Sequence, residues 1–351
     1  MSRTGWVGVD WGTRAIKLAC LEFDGSHYHL SRRAVLRRAA GENDSAGNGP
    51  AIRPTWTSDD FPSGLIRERW FRRRPAACVL PMHLSDMRAL EIPQAELAVQ
   101  RAMAEGEIAD ALGEPVGSRV FDLWEAPPGA SHRNAPWVQV FSTPESVAFA
   151  AADALARAGL ECEILDGPPF VLRRAIQLAD PAAPPAGAAL DWGFGGAAVC
   201  FYQEGTPIYS RQLKDCGVGR MATAMAKSLG VTLIEAEEAL IEHGLSNGRP
   251  GPGENYDLQH LASQVLAEPI QSLLEQLHKT LNYVQSEWPE CAPSELWLFG
   301  GAAAIRNLPK VLAEGVGMNV RTWKLRTSEP TDSLEALFGP AAALSLLAWR
   351  R

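Results

Sequence analysis

Short apolar runs closed by acidic-Gly turns alternate along the chain with longer stretches in which Ala and Leu recur at helical spacing, the pattern of an α/β fold. Val7 to Phe23 reads VGVDWGTRAIKLACLEF and runs into Asp24-Gly25; Ala188 to Gln203 reads AALDWGFGGAAVCFYQ and runs into Glu204-Gly205. Each predicts an apolar strand ending in Asp-Trp-Gly, a tight turn, a second apolar strand, and an acidic-Gly turn into a third. The recurrence about half a chain apart predicts a duplicated β-hairpin unit heading two related lobes.

Between these units, Arg38–Trp56 is rich in Gly, Asn, Asp, Ser and Pro and reads as a surface loop. Ala76–Val140 contains the strand-like VLPMHLSDMRALEIP, a helix from about Gln94 to Leu112, and the strand-like SRVFDLWEA before Pro127–Gly129; it reads as a small inserted α+β subdomain. A strand over Trp137–Ser142 then returns, followed by a helix from Pro144 to Gly159. The Pro-rich Asp180–Gly187 marks the lobe boundary. Beyond the second hairpin the pattern predicts helices over Gly219–Leu229, Leu233–His243 and Leu258–Gln285, with a loop over Ser246–Asn255. A strand over Glu295–Phe299 follows, entering Gly300-Gly301 and a helix opening near Ala303. Residues 1–75 and 141–180 thus form the first lobe, 76–140 the insert and 186–338 the second lobe, while 339–351 form a C-terminal helix packed on one of the lobes.

With 351 residues and 46% hydrophobic content, two cores meeting at a cleft are affordable. A formal charge of −8 excludes a global attraction to nucleic acid or to an anionic leaflet. The arginine clusters at Arg32, Arg33, Arg37, Arg38 and at Arg67, Arg69, Arg72, Arg73, Arg74 read as solvated faces, with an acidic partner or lipid headgroups as the alternative. The six cysteines form no C-x-x-C pair, and the histidines show neither H-x-x-x-H nor H-E-x-x-H spacing, so no metal cluster or catalytic histidine is expected. Asp10 interrupts the N-terminal apolar stretch, and no segment reaches the roughly 18 apolar residues of a membrane span, so the expectation is a cytoplasmic chain.

Three loops converge on phosphate chemistry. In the first hairpin Asp10, Gly12 and Thr13 place backbone N–H groups and a hydroxyl where phosphate oxygens can be held; Asp10 is suited to orient a hydrated Mg²⁺, and Lys17 to neutralise phosphate charge. Asp191, Gly193 and Gly195 repeat the arrangement, with Asp191 as the second candidate metal carboxylate. Gly300-Gly301, between a strand and a helix, offers a third close backbone approach.

This order, phosphate hairpin, linker, second hairpin, then LFGG, resembles the actin, sugar-kinase and Hsp70 ATPase superfamily. Within it, GVDWGTRAIKLACLEF, RALEIPQAELAVQRAMAEGEIADAL, VQVFSTPESVAFAAADALARAGLECEILDGPPFVLRRAI, GTPIYSRQLKDCGVGRMATAMAKSLGVTLIEAEEAL and LWLFGGAAAIRNLPKVLAEGVGMNV together resemble the PilM family of type IV pilus assembly proteins along nearly the whole chain. The resemblance implies an actin-like (duplicated RNase H-like) two-lobed fold, ATP with Mg²⁺ between the lobes, and Glu237 among the nucleotide contacts. It also implies a groove beside the insert that grips the N-terminal cytoplasmic tail of PilN, a bitopic inner-membrane protein, making the chain peripheral to that membrane through its partner. Leu84, Met87, Leu90 and Ile92 are the candidate groove walls, with sealing of the insert's own core as the alternative. The sequence departs from the family where Gly196, Ala197 and Ala198 offer no hydroxyl, and where Leu240 stands in place of a lysine whose stem covers the adenine; weakened nucleotide binding is the expectation. No base for activating water is evident, so a scaffold is favoured over an ATPase. A nucleotide-free subunit of a type II secretion-like platform and a small-molecule kinase remain the alternatives, and self-association is left open.

Overall fold

The computed structural model describes residues 3–37, 73–132, 137–246, 254–325 and 333–349. The expected loop at Arg38–Trp56, Arg67, Arg69 and Arg72, and most of the expected loop at Ser246–Asn255 lie outside these residues.

Strands β1 (Arg3–Thr4), β2 (Val7–Trp11), β3 (Ala15–Phe23), β4 (Tyr28–Arg37), β5 (Arg74–Val79) and β9 (Leu160–Asp166) form one sheet. Strands β10 (Gly187–Trp192), β11 (Ala197–Gln203), β12 (Thr206–Leu213), β13 (Glu295–Phe299) and β14 (Asn319–Thr322) form another. The orders β4-β3-β2-β5-β9 and β12-β11-β10-β13-β14 match position for position: two antiparallel neighbours on one side of the leading strand, then two parallel ones on the other. The duplication predicted from the two hairpin units therefore extends through five strands. The leading strands β2 and β10 are buried on both faces, which explains their near-continuous apolar runs.

The insert carries β6 (Asp86–Glu91), α1 (Leu97–Leu112), β7 (Arg119–Glu125) and β8 (Trp137–Pro144), its sheet ordered β6-β8-β7. Its boundaries differ from expectation. The run read as one strand from Val79 is the end of β5, a short 3-10 turn at Met82–Leu84, and β6; β5 belongs to the first lobe. Strand β8 is the insert's middle strand.

Two helices tie the lobes together. Helix α3 (Pro168–Ala179), which follows α2 (Glu145–Arg157) and β9, leaves the first lobe and packs on β10, β11 and β12 of the second. Helix α9 (Gly339–Ser345) does the reverse, packing on β2, β3 and β5. Gly8 makes this possible, since a Cβ there would overlap the Ala341 carbonyl. Ser345 Oγ donates to the Trp6 carbonyl at 2.7 Å and accepts from the Leu21 N–H at 2.9 Å. Around the crossed helices one apolar cluster draws on both lobes, including Leu21, Val79, Leu172, Phe299, Trp323 and Leu344.

The second lobe carries α4 (Val218–Leu229), α5 (Leu233–His243), α6 (Glu254–Val265), α7 (Ala267–Glu287) and α8 (Leu308–Val316). The single helix expected over Leu258–Gln285 is broken at Leu266. Pro269, in the first turn of α7, has no N–H for the carbonyl at position 265 and clashes with it. The helix expected near Ala303 is a 3-10 turn over Gly301–Ala304, with α8 starting only at Leu308.

Candidate functional site

The two hairpin turns are built alike. Gly12 N–H closes the first turn on Ala15 O at 3.0 Å, and Gly193 N–H closes the second on Gly196 O at 2.9 Å. They face each other across a cleft of about 260 Å³ lined by both turns, by Pro81, Met82 and His83 after β5, and by Glu237, Leu240 and Ile241 of α5. Of the ten residues named from sequence for the cofactor, nine line this cleft: Asp10, Gly12, Thr13, Lys17, Asp191, Gly193, Gly195, Glu237 and Gly301. Gly300 lies beneath it. At φ +80° it occupies the left-handed region, and a Cβ there would come within 2.7 Å of Asp191 Oδ1.

Strand register explains the polar floor of the cleft. Lys17 stands opposite Asp10 in the β2–β3 hairpin, and its ammonium donates to Asp10 Oδ2 at 2.8 Å. The corresponding position opposite Asp191 in β10–β11 is Ala198. One lysine thus serves two aspartates. Burial alone would lower the Lys17 pKa, but the attraction of Asp10 and then of Asp191, with the hydrogen bond, holds it above its ordinary value. Burial, and next the repulsion of Asp10, push Asp191 up to about 6, while Lys17 acts in the opposite sense.

Equal turn lengths also make Phe194 the counterpart of Thr13. The second hairpin therefore brings neither hydroxyl nor amine, and the polar chemistry is concentrated on the first. The expected deficiency lies at Phe194 and Ala198; Ala197 pairs with Trp192 in the second lobe's core. Helix α4 buttresses this turn through Val218 N–H to Gly193 O at 3.0 Å and Gly219 N–H to Phe194 O at 2.9 Å.

Sequence reasoning missed Arg14 and His83. Arg14 lies in the first turn, and its Nε stands 3.1 Å from Glu237 Oε1 across the cleft, with its guanidinium 5.2 Å from the centre of the Phe194 ring. No local motif distinguishes such an arginine, because its partner lies more than half the chain away. His83 comes to the cleft wall on the turn that joins β5 to the insert.

Among the described residues no group of three or more His, Cys, Asp or Glu gathers as a metal cluster. Two carboxylates facing one cleft, Asp10 from the first hairpin and Asp191 from the second, are nevertheless a donor set that suits Mg²⁺, which is held by one or two carboxylates together with water and phosphate oxygens. A buried lysine beside them adds the positive charge that a polyphosphate ligand calls for.

The groove walls named from sequence divide. Leu90 and Ile92 are buried in the insert's own core against Ala104, Ile108, Val138 and Val140, and so do not wall an open groove. Strand alternation puts both on the face covered by α1. Met87 instead lines a smaller cavity of about 110 Å³ with Trp137, Tyr209, Tyr283 and Trp288, between the insert and the second lobe. Leu84 is half-buried, and its carbonyl accepts from Thr143 Oγ1 at 3.0 Å.

No protein-family model matches the sequence, and no curated protein matches it either. Solved structures do. A chain of a PilM–PilN type IV pilus biogenesis complex is 19% identical, with 97% of this chain and 98% of that one covered, at a TM-score of 0.70. The ethanolamine utilization protein EutJ of Carboxydothermus hydrogenoformans is 14% identical, with 98% and 89% covered, at a TM-score of 0.53. No described helix is long and apolar enough to cross a membrane. At these identities the comparison speaks to architecture alone, and the architecture is a two-lobed actin-like fold shared end to end with a chain of the PilM–PilN complex.

Proposed function

We propose that this chain is a cytoplasmic actin-like scaffold of a type IV pilus or a related secretion machine. It binds ATP with Mg²⁺ weakly between its lobes and docks the N-terminal cytoplasmic tail of a PilN-like bitopic inner-membrane protein. The observation that carries this reading is the end-to-end likeness to a chain of the PilM–PilN complex, covering 97% of this chain and so including the insert.

The cleft supports the nucleotide half of the reading. Thr13 and the turn around it would hold phosphate oxygens, Lys17 would supply positive charge to them, and Asp10 and Asp191 would hold Mg²⁺. A bound Mg²⁺ supplies charge neutralisation between the phosphates. The bare second hairpin, with Phe194 and Ala198 where the first has Thr13 and Lys17, supports weak affinity. It also favours the second reading, a nucleotide-free structural subunit of the same kind of platform. In both, Leu84 and Met87 remain candidate partner contacts on the insert.

Co-purification tests the partner half. A PilN-like membrane protein is expressed with this chain, once intact and once without its N-terminal tail. Capture of the intact protein and loss of capture without the tail are expected; capture that ignores the tail rejects the docking mode. Calorimetry with ATP and Mg²⁺ tests the other half, and a flat titration at millimolar ATP would leave the nucleotide-free subunit.

A further inference from the structure

The interlobe contacts at the mouth of the cleft are unevenly distributed. Thr13 and Gly195, at the two turn tips, lie so close that a Cβ on Gly195 would stand 2.7 Å from Thr13 Oγ1. Beside them Arg14 reaches across to Glu237 at 3.1 Å, with only 17% and 14% of the two side chains exposed. The Phe194 ring forms a platform 5.2 Å beneath the same guanidinium. A second pair, Arg37 with Glu238 at 3.3 Å, spans the same gap, but its side chains are 51% and 61% exposed. Two consecutive acids on α5 thus meet two arginines of the first lobe.

We propose that Arg14 and Glu237 form a latch that holds the lobes closed when the cleft is empty, so that a ligand enters only after this pair has opened. Taking the ligand to be a nucleotide polyphosphate rests on the function proposed above; the latch itself rests on the geometry. Burial sets the hierarchy between the two pairs. Exposed pairs such as Arg37 and Glu238 are screened by salt and contribute little, whereas a mostly buried pair with an aromatic platform resists screening. Breaking the buried pair on one side removes the direct attraction between α5 and the first turn and so favours the open form.

The latch has a consequence opposite in sign to a ligand role for Glu237. Were Glu237 a direct nucleotide contact, neutralising it would weaken binding. As half of a latch it competes with binding, because the apparent dissociation constant is the intrinsic one divided by the fraction of open molecules. Glu237→Gln therefore tightens ATP.

The experiment measures amide hydrogen exchange in the two turns, Gly12–Ala15 and Phe194–Gly196, together with calorimetry of ATP·Mg²⁺. It uses the wild type, Glu237→Gln, Arg14→Gln and the exposed-pair control Glu238→Gln. Expected for Glu237→Gln and Arg14→Gln is turn exchange faster by about fivefold or more, and for Glu237→Gln also an ATP dissociation constant lower by a similar factor. Glu238→Gln should stay within about twofold of wild type on both measures. Unchanged exchange in Glu237→Gln overturns the latch, whatever happens to ATP. Faster exchange with weaker ATP binding also overturns it, in favour of a direct contact. Faster exchange with no ATP binding to any variant upholds the latch and rejects the nucleotide reading instead. Should either single variant fail to fold, the charge exchange Arg14→Glu with Glu237→Arg in one chain restores the pair; wild-type exchange there supports the latch, and fast exchange rejects it.

Discussion

Lys17 stands directly across the β2–β3 hairpin from Asp10 and donates to its carboxylate over 2.8 Å, while the equivalent place across from Asp191 is taken by Ala198. The duplicated hairpins are therefore alike in backbone and unlike in charge. A single ammonium faces two carboxylates, so the floor of the cleft holds one more acid than base.

Replacing that ammonium by a side chain of similar length separates its charge from its packing. Lys17→Met should destabilise the protein by about 2–4 kcal/mol at pH 8, because a carboxylate pair is left buried without its cation. At pH 5 the cost should be smaller, since Asp191 takes up a proton readily and relieves the repulsion. Urea unfolding at the two pH values checks both parts; an equal loss at both would mean that Lys17 acts by packing alone.

Asp191 makes the converse case. Its folded value of about 6 lies above its ordinary 3.8, so the folded protein binds this proton more tightly than the unfolded chain. Stability from this group is complete at acid pH and is lost as pH rises through about 6. Asp191→Asn removes the charge and should gain about 1–3 kcal/mol at pH 8, with the gain vanishing near pH 4. Thermal melts across that range decide it, and a gain that grows toward acid pH would reverse the assignment.

The backbone of the fold was legible because it repeats. Asp-Trp-Gly before a turn and an acidic-Gly after the next strand recur at spacings that differ by a single residue, and five strands of the sheets behind them match in order. Less legible was anything that depends on a distant partner. Arg14 reads as an ordinary turn residue until α5 brings Glu237 against it. Leu90 and Ile92 read as groove walls until α1 is seen to cover them. The helical pattern over Leu258–Gln285 runs continuously through Pro269 and so conceals the break at Leu266. Nor does the spacing of the C-terminal helix reveal which lobe it packs on.

That choice of lobe hangs on Gly8. The residue is in β2, and any side chain would drive into the Ala341 carbonyl of α9. Gly8→Ala should cost about 3 kcal/mol or more, through overpacking at a backbone contact that cannot yield by a rotamer change. Because α9 is also where Ser345 ties the Trp6 carbonyl and the Leu21 N–H, exchange protection of Leu21 should fall with it. A melting temperature within a degree of wild type would place α9 elsewhere.

The insert, though it branches from the first lobe, is fastened to the second. Gln139 of β8 is buried, and its Nε2 donates to the Ile208 carbonyl of β12 at 3.1 Å. Trp124 Nε1 does the same for the Pro207 carbonyl at 2.9 Å, and Trp288 Nε1 of the second lobe donates back to Pro127 at 2.8 Å. An insert that branches from one lobe and is bonded to the other should restrain movement between them, and loosening it should show in the second lobe as well as in the insert. Gln139→Leu keeps the volume but strips the donor, leaving the Ile208 carbonyl buried and unpaired, at a cost of about 1–3 kcal/mol. Amide exchange should accelerate in β12 as well as in β8. If only β8 responds, the insert rides on the first lobe alone and does not brace the two lobes against each other.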